Sequence, residues 1–86
     1  MPTKAEVQNK VFDKIADIAN YSRDHIQLTD KLGDQPLALD GNDLGDLALE
    51  LRSYVKQYKP ANTVTVSQVT AKLTVKELID LIYNLV

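Results

Sequence analysis

The sequence predicts an all-α fold: a small four-helix bundle with a long ordered loop between helices 1 and 2 and a short third helix. Three segments repeat apolar residues at steps of three and four positions, which places those residues along one face of a helix. Two of these segments begin with a Thr-x-x-Glu sequence, the spacing of a capping box. Only one segment alternates apolar and polar residues, and no second alternating segment is present to pair with it in a sheet. We therefore expect residues 1–86 to form a single helical domain.

Capping boxes mark the starts of the first and last helices. Thr3-Lys-Ala-Glu6 precedes a first helix predicted over residues 4–20, where Asn20 is a suitable stop. Thr74-Val-Lys-Glu77 opens a last helix predicted over residues 75–85. In both segments apolar residues fill one face, which we expect to be buried: Val7, Val11, Ile15 and Ile18 in the first, and Val75, Leu78, Ile79, Ile82 and Leu85 in the last.

The connection over residues 21–40 shows no sustained helical period. It contains Gly33 and Pro36, which favour turns. A fully solvated loop would not need regularly placed apolar residues, yet this segment has five: Ile26, Leu28, Leu32, Leu37 and Leu39. We expect an ordered connection that lies across the bundle and contributes to its core.

A second helix is predicted over residues 42–58, with Asn42 or Asp43 as its cap. Leu49 and Tyr54 are expected to widen its apolar stripe. The stripe itself follows the helical period through Leu44, Leu47, Leu51, Val55 and Tyr58. In the alternating segment, residues 61–73, a short helix or turn near residues 66–71 is preferred to an unpartnered strand.

Composition excludes several function classes. The formal net charge of the 86 residues is -2, so the basic excess that is typical of nucleic-acid binding is missing. The chain has no cysteine for disulfides or thiolate metal sites, and no apolar run approaches the length of a membrane span. The segment Met1-Pro-Thr-Lys-Ala-Glu6 also lacks the apolar core of a signal peptide. We expect a cytoplasmic protein that binds neither nucleic acid nor membranes.

Two segments carry a resemblance to a known family. Leu37-Ala-Leu-Asp40-Gly41 resembles the Leu-Gly-x-Asp-Ser entry to the second helix of acyl carrier proteins. Leu73-Thr-Val-Lys-Glu-Leu-Ile-Asp-Leu-Ile82 resembles the Thr-Val-x-x-x-Ile-Asp-x-Ile sequence that closes that family. Between them, three leucine and valine positions match the buried residues of the carriers' second helix: Leu47, Leu51 and Val55. The resemblance implies the carrier fold over nearly the whole chain.

The resemblance also identifies a missing group. Carriers receive phosphopantetheine on the serine that opens the second helix, and Gly41 occupies that position here. An alternative register places Asp43 there. Glycine offers no oxygen nucleophile to attack a pyrophosphate, and aspartate cannot form the ordinary phosphodiester. We therefore expect no phosphopantetheine and no other cofactor.

The function predicted from these features is protein binding. A carrier-like domain without its arm would bind a protein partner, such as a biosynthetic enzyme, through the surface of the second helix, using Asp43, Asp46, Arg52 and Lys56. The alternative is a working acyl or peptidyl carrier whose attachment serine is displaced to Ser53, Ser22 or Ser67. The oligomeric state is left open by the sequence.

The sequence favours neither an enzyme nor a metal protein. His25 is the single histidine, and no nucleophile is placed beside it by a motif. The acidic run that begins at Asp40 fits positions 1, 3 and 6 of a calcium-binding EF-hand loop, but positions 5 and 12 are Leu44 and Leu51. We predict no catalytic residue and no metal ligand, since capping and helix-dipole compensation account for the same acids.

Overall fold

The computed structural model describes residues 1–86 and contains three α-helices: α1 (Lys4–Ala19), α2 (Gly41–Tyr58) and α3 (Val75–Leu85). Two one-turn 3₁₀-helices, Arg23–His25 and Val66–Gln68, lie in the connections. The chain contains no β-strand, and one isolated antiparallel bridge joins Lys31 to Thr74. The all-α class is confirmed. The predicted count of four helices is wrong, because the short third helix is a single 3₁₀ turn.

Helices α1 and α3 are capped by the residues that the sequence predicts. The Thr3 hydroxyl accepts from the backbone N–H of Glu6 at 3.2 Å, and the Thr74 hydroxyl accepts from that of Glu77 at 3.1 Å. In α3 the Glu77 carboxylate also accepts from the Thr74 N–H at 3.0 Å, which completes the box. At the end of α1, Asn20 lies in the left-handed region with φ of 51°, a conformation that asparagine tolerates better than most residues.

The Val66–Gln68 turn stops short of an α-helix for local reasons. Its flanking residues are β-branched or carry hydroxyls, and both kinds have low helix propensity. The Gln68 side chain accepts from the Thr65 N–H at 3.0 Å, so side-chain bonds satisfy this single turn. Val64 and Val69 on either side are buried, which fixes both ends of the turn against the core.

The predicted ordered connection between α1 and α2 is confirmed. Four of its five apolar residues are buried, and Leu28 is the exception at 38% exposure. The N–H groups of Leu32 and Gly33 donate to the carbonyls of Leu73 and Ala71, at 3.0 and 2.9 Å. These bonds join the connection to the segment that leads into α3.

One cluster of 20 buried side chains forms the core, and all three α-helices and both long connections contribute to it. Helix α1 packs against both α2 and α3. Because the core lies on one side of the α1–α2 contact, the other side of that contact faces outward. None of the three helices combines the length and apolar character that a membrane crossing requires.

Candidate functional site

The start of α2 is the segment that carries the carrier resemblance, and Asp40 caps it. The Asp40 carboxylate accepts from the Asp43 N–H at 2.9 Å, and the Asp43 carboxylate accepts from the Asp40 N–H at 3.2 Å. The prediction that Asn42 or Asp43 is the cap is therefore wrong, and α2 begins at Gly41. A reciprocal box needs a side chain three residues after the cap. Asp40 has Asp43 there, whereas Asn42 would have only Gly45.

Gly41 is the first residue of α2, and it is exposed. A Cβ built on it would meet no atom within 4 Å, so its surroundings leave room for a side chain. Its φ is not positive, and nothing in the backbone requires glycine here. Gly41, where the sequence resemblance leads us to expect an attachment serine, therefore lies open at a helix N-terminus and carries no hydroxyl.

The four predicted partner-binding residues do not form one patch. Asp43 is half-buried in the capping box, and Asp46 is exposed with no ion pair. Arg52 Nε donates to the Val64 carbonyl at 2.9 Å, and Lys56 Nζ donates to that of Pro60 at 3.1 Å. Arg52 lies six positions after Asp46 along the helix, which places the two about 120° apart around the axis. Arg52 and Lys56 thus join α2 to the segment that follows it, while Asp46 points toward α1.

A groove between α1 and α2 contains Asp46 and is the largest depression of the surface, with a volume of about 380 Å³. Asp17 and Ile18 of α1 line one side, and Leu49 and Glu50 of α2 join Asp46 on the other. Leu49 is 52% exposed, so the prediction that it widens the buried stripe is wrong. It follows the buried pair Leu47 and Ala48 and projects away from the core.

A second depression of about 180 Å³ adjoins the groove and shares Glu50 with it. Its walls are polar, apart from Tyr54, and comprise Lys10, Lys14, Glu50, Ser53, Tyr54 and Gln57. Lys14 Nζ lies 3.7 Å from the Glu50 carboxylate, and Lys10 Nζ lies 5.5 Å from the centre of the Tyr54 ring. We call the two depressions together the α1–α2 seam: an acidic half around Leu49 and a basic half around Lys10 and Lys14.

The Tyr54 side chain forms the floor of the basic half. It is buried, and its ring meets that of Tyr58 edge-on with centroids 5.3 Å apart. Burial raises the pKa of the Tyr54 hydroxyl, and the neighbouring Tyr58 raises it further. Tyr54 therefore remains a neutral phenol at physiological pH and contributes packing and a hydrogen-bonding group to the seam.

The other residues singled out in the sequence lie apart from the seam, except Ser53. Ser22 immediately precedes the Arg23–His25 turn, and the Ser67 hydroxyl lies 2.9 Å from that of Thr65. His25 is exposed, with its ring centroid 6.0 Å from that of Tyr21. No three histidine, cysteine or acidic side chains lie close enough together to hold a metal ion.

Comparison with protein-family models, with curated proteins and with solved structures finds no match to this chain.

Proposed function

We propose that this chain is an acyl-carrier-like helical domain of the cytoplasm that carries no phosphopantetheine and acts by binding another protein. The observation that carries the proposal is the start of α2, where Gly41 follows the Asp40 cap, exposed and without neighbours. This is the position that matches the carriers' serine. The site is sterically open, and it lacks the oxygen nucleophile that attachment requires.

The positions of the three candidate serines also favour an unmodified domain. Ser53 lies in the middle of α2, and Ser22 and Ser67 lie at or within one-turn 3₁₀-helices. None of them opens an α-helix, which is where the resembling family places its attachment serine. The displaced-serine alternative therefore has no residue in the matching environment.

The exposed surface of α2 favours a role in protein binding rather than in catalysis. Leu49 is largely exposed beside the unpaired Asp46, and neither side chain is needed for the core. Both side chains are therefore accessible to a partner, one as an apolar contact and the other as an unpaired charge. Asp46 is retained as a partner-binding residue, and Leu49 is added to it.

Mass spectrometry of the intact protein tests whether the chain carries phosphopantetheine. We expect the wild-type chain, co-expressed with a broad-specificity phosphopantetheinyl transferase, to keep its unmodified mass. Gly41→Ser restores the hydroxyl at an open position, and we expect it to gain the mass of one phosphopantetheinyl group. Gly45→Ser is the matched control, because it adds the same side chain one turn into α2, again with no atom within 4 Å of the new Cβ.

Each outcome separates the hypotheses. A gain of mass by the wild-type chain would contradict the proposal in favour of a displaced serine, which Ser→Ala variants at Ser22, Ser53 and Ser67 would then locate. An unmodified Gly41→Ser variant would remove the support for the carrier resemblance. Equal modification of Gly41→Ser and Gly45→Ser would show that the transferase does not require the serine at the first position of α2.

A further inference from the structure

We propose that the basic half of the α1–α2 seam binds a phosphate group, carried by a small phosphate monoester or present as the free ion. Lys10 and Lys14 of α1 and Ser53 and Gln57 of α2 line this depression. Their ammonium, hydroxyl and amide groups supply the donors for the phosphate oxygens. The inference goes beyond the proposed function and does not depend on it, because Ser53 lies about 18 Å along the α2 axis from Gly41.

Lys10 and Lys14 differ from the other lysines of the chain in their burial. The chain has eight lysines, and these two are half-buried while the other six are exposed. Both half-buried lysines line the same depression. Removing an ammonium group from water without a counter-charge costs free energy, and lysines in the interior are usually paired. A bound anion replaces the solvation that these two groups have lost.

The chain itself leaves the two ammonium groups incompletely paired. Lys10 Nζ forms no ion pair and lies 5.5 Å from the centre of the Tyr54 ring, in a cation–π contact. Lys14 Nζ lies 3.7 Å from the Glu50 carboxylate, which is longer than a hydrogen bond. Lys10 and Lys14 are also one helical turn apart, where like charges repel each other. An anion between them relieves this repulsion.

The size and the donors of the depression identify the anion as a phosphate group. Its volume of about 180 Å³ is below the range of roughly 300–1,000 Å³ that is typical of sites for drug-sized ligands. Four of the six lining residues offer donors, two from each helix, and Tyr54 is the one hydrophobic residue among the six. The terminal oxygens of a phosphate accept from donors on several sides, whereas a carboxylate has only two oxygens. The site therefore favours a compact, highly charged oxyanion over an apolar ligand.

A titration with sodium phosphate at fixed pH and ionic strength, followed by two-dimensional ¹H–¹⁵N NMR, tests this inference. The side-chain amide of Gln57 is a direct probe, because it lines the depression. We expect phosphate to shift this signal and the backbone signals of Lys10, Lys14 and Ser53 until they saturate. Sodium acetate is the control and should shift them far less. Equal shifts with acetate, or no saturable shift with phosphate or glycerol phosphate, would overturn the proposal.

Glycerol phosphate distinguishes the two sources of the phosphate group. Tighter binding of this monoester than of inorganic phosphate would identify an ester as the ligand. The reverse order would identify the free ion. Shifts spread evenly over the six exposed lysines would instead overturn the proposal, because they would indicate attraction to positive charge without a site.

Matched variants make the same distinction. Lys10→Gln removes one ammonium group and keeps a long polar side chain, and we expect it to weaken phosphate binding about tenfold. Lys72→Gln is the control, because Lys72 is exposed and lines neither depression, and we expect about twofold weakening or less. Ser53→Ala leaves every charge in place and should weaken binding about threefold. Equal losses from Lys10→Gln and Lys72→Gln would contradict a specific site.

One variant should strengthen binding, a result that a loss of folding cannot produce. Glu50 is the single carboxylate that lines the depression, and Glu50→Gln removes its repulsion of the phosphate while keeping its shape. We expect binding to tighten about threefold or more. Asp34→Asn removes an exposed carboxylate outside the seam and should change binding less than about twofold. Unchanged or weaker binding by Glu50→Gln would overturn the proposed site, whereas the mass of the Gly41→Ser variant bears only on the carrier resemblance.

Discussion

At Gly33 the packing of the backbone leaves no room for a side chain. Its N–H donates to the Ala71 carbonyl at 2.9 Å, and a Cβ built on it would lie 2.4 Å from the Ala71 Cβ. Gly41 and Gly45 differ, because a Cβ at either would meet nothing within 4 Å. The three glycines look alike in the sequence. What separates them is a contact between two segments that are distant along the chain.

Gly33→Ala is expected to lower the free energy of unfolding by about 1–3 kcal/mol, because the added methyl group forces the two paired segments apart. Gly45→Ala is the matched control. It makes the same change inside α2, in open space, and is expected to raise that free energy by about 0.5–1 kcal/mol. Urea denaturation of both variants beside the wild-type chain measures the two effects. A Gly33→Ala variant as stable as the wild type would contradict this account of the close approach.

At the level of elements, the sequence predicts what local chemistry decides. The helices α1 and α3 start where Thr3 and Thr74 cap them, because a capping box forms within four consecutive residues. The prediction that α2 starts at residue 42 is one residue late, although Asp40 and Asp43 have the same spacing with aspartate in the final position. The predicted short third helix is a 3₁₀ turn instead, since the pattern near Val66 does not distinguish a 3₁₀ turn from a short α-helix.

The α1–α2 seam could not be predicted from the sequence, because its residues come from two different helices. Asp46 was identified as a partner-binding residue, but its neighbours Asp17 and Ile18 belong to another helix. Leu49 lies about 140° around the α2 axis from Leu44 and on the side opposite Leu47 and Leu51, so the helical period itself places it outside the buried stripe, and it is 52% exposed. Periodicity shows which residues share a face of one helix. It does not show which neighbouring helix covers the edge of that face.

The capping box of α2 allows a prediction for a whole element. Asp40→Ala removes the side-chain acceptor for the Asp43 N–H and leaves the first turn of α2 uncapped. We expect it to lower the free energy of unfolding by about 0.5–2 kcal/mol. Asp34→Ala is the matched control, because Asp34 is exposed and its side chain caps no helix. Urea denaturation followed by far-ultraviolet circular dichroism compares them, and equal stability of the two variants would contradict the assignment of the cap.

Across the whole molecule, charged groups stabilise the starts and contacts of helices while the apolar cluster fills the interior. Lys4 Nζ lies 2.7 Å from the Asp80 carboxylate and joins α1 to α3. The hydrogen bond from Lys4 lowers the pKa of Asp80 below its ordinary value of 3.8. Within α3, the backbone N–H and then the hydroxyl of Thr74 lower the pKa of Glu77 below its ordinary value of 4.5. In both groups the folded state favours the ionised carboxylate.

These two carboxylates predict how the stability of the molecule depends on pH. Because their folded-state pKa values lie below the unfolded ones, they stabilise the fold at pH values above the unfolded pKa. That contribution is lost as the pH falls below 4.5 and through the folded-state values. We expect the urea midpoint to be nearly constant between about pH 5 and 7 and to decrease at lower pH.

Asp80→Asn removes one ionisable group, so its midpoint should be lower than that of the wild type at pH 7 and should decrease less on acidification. Asp34→Asn, an exposed change outside any ion pair, should follow the wild-type curve throughout. Parallel acid profiles for Asp80→Asn and the wild type would show that the Lys4–Asp80 contact does not stabilise the fold, and that α1 and α3 are joined by their apolar faces alone.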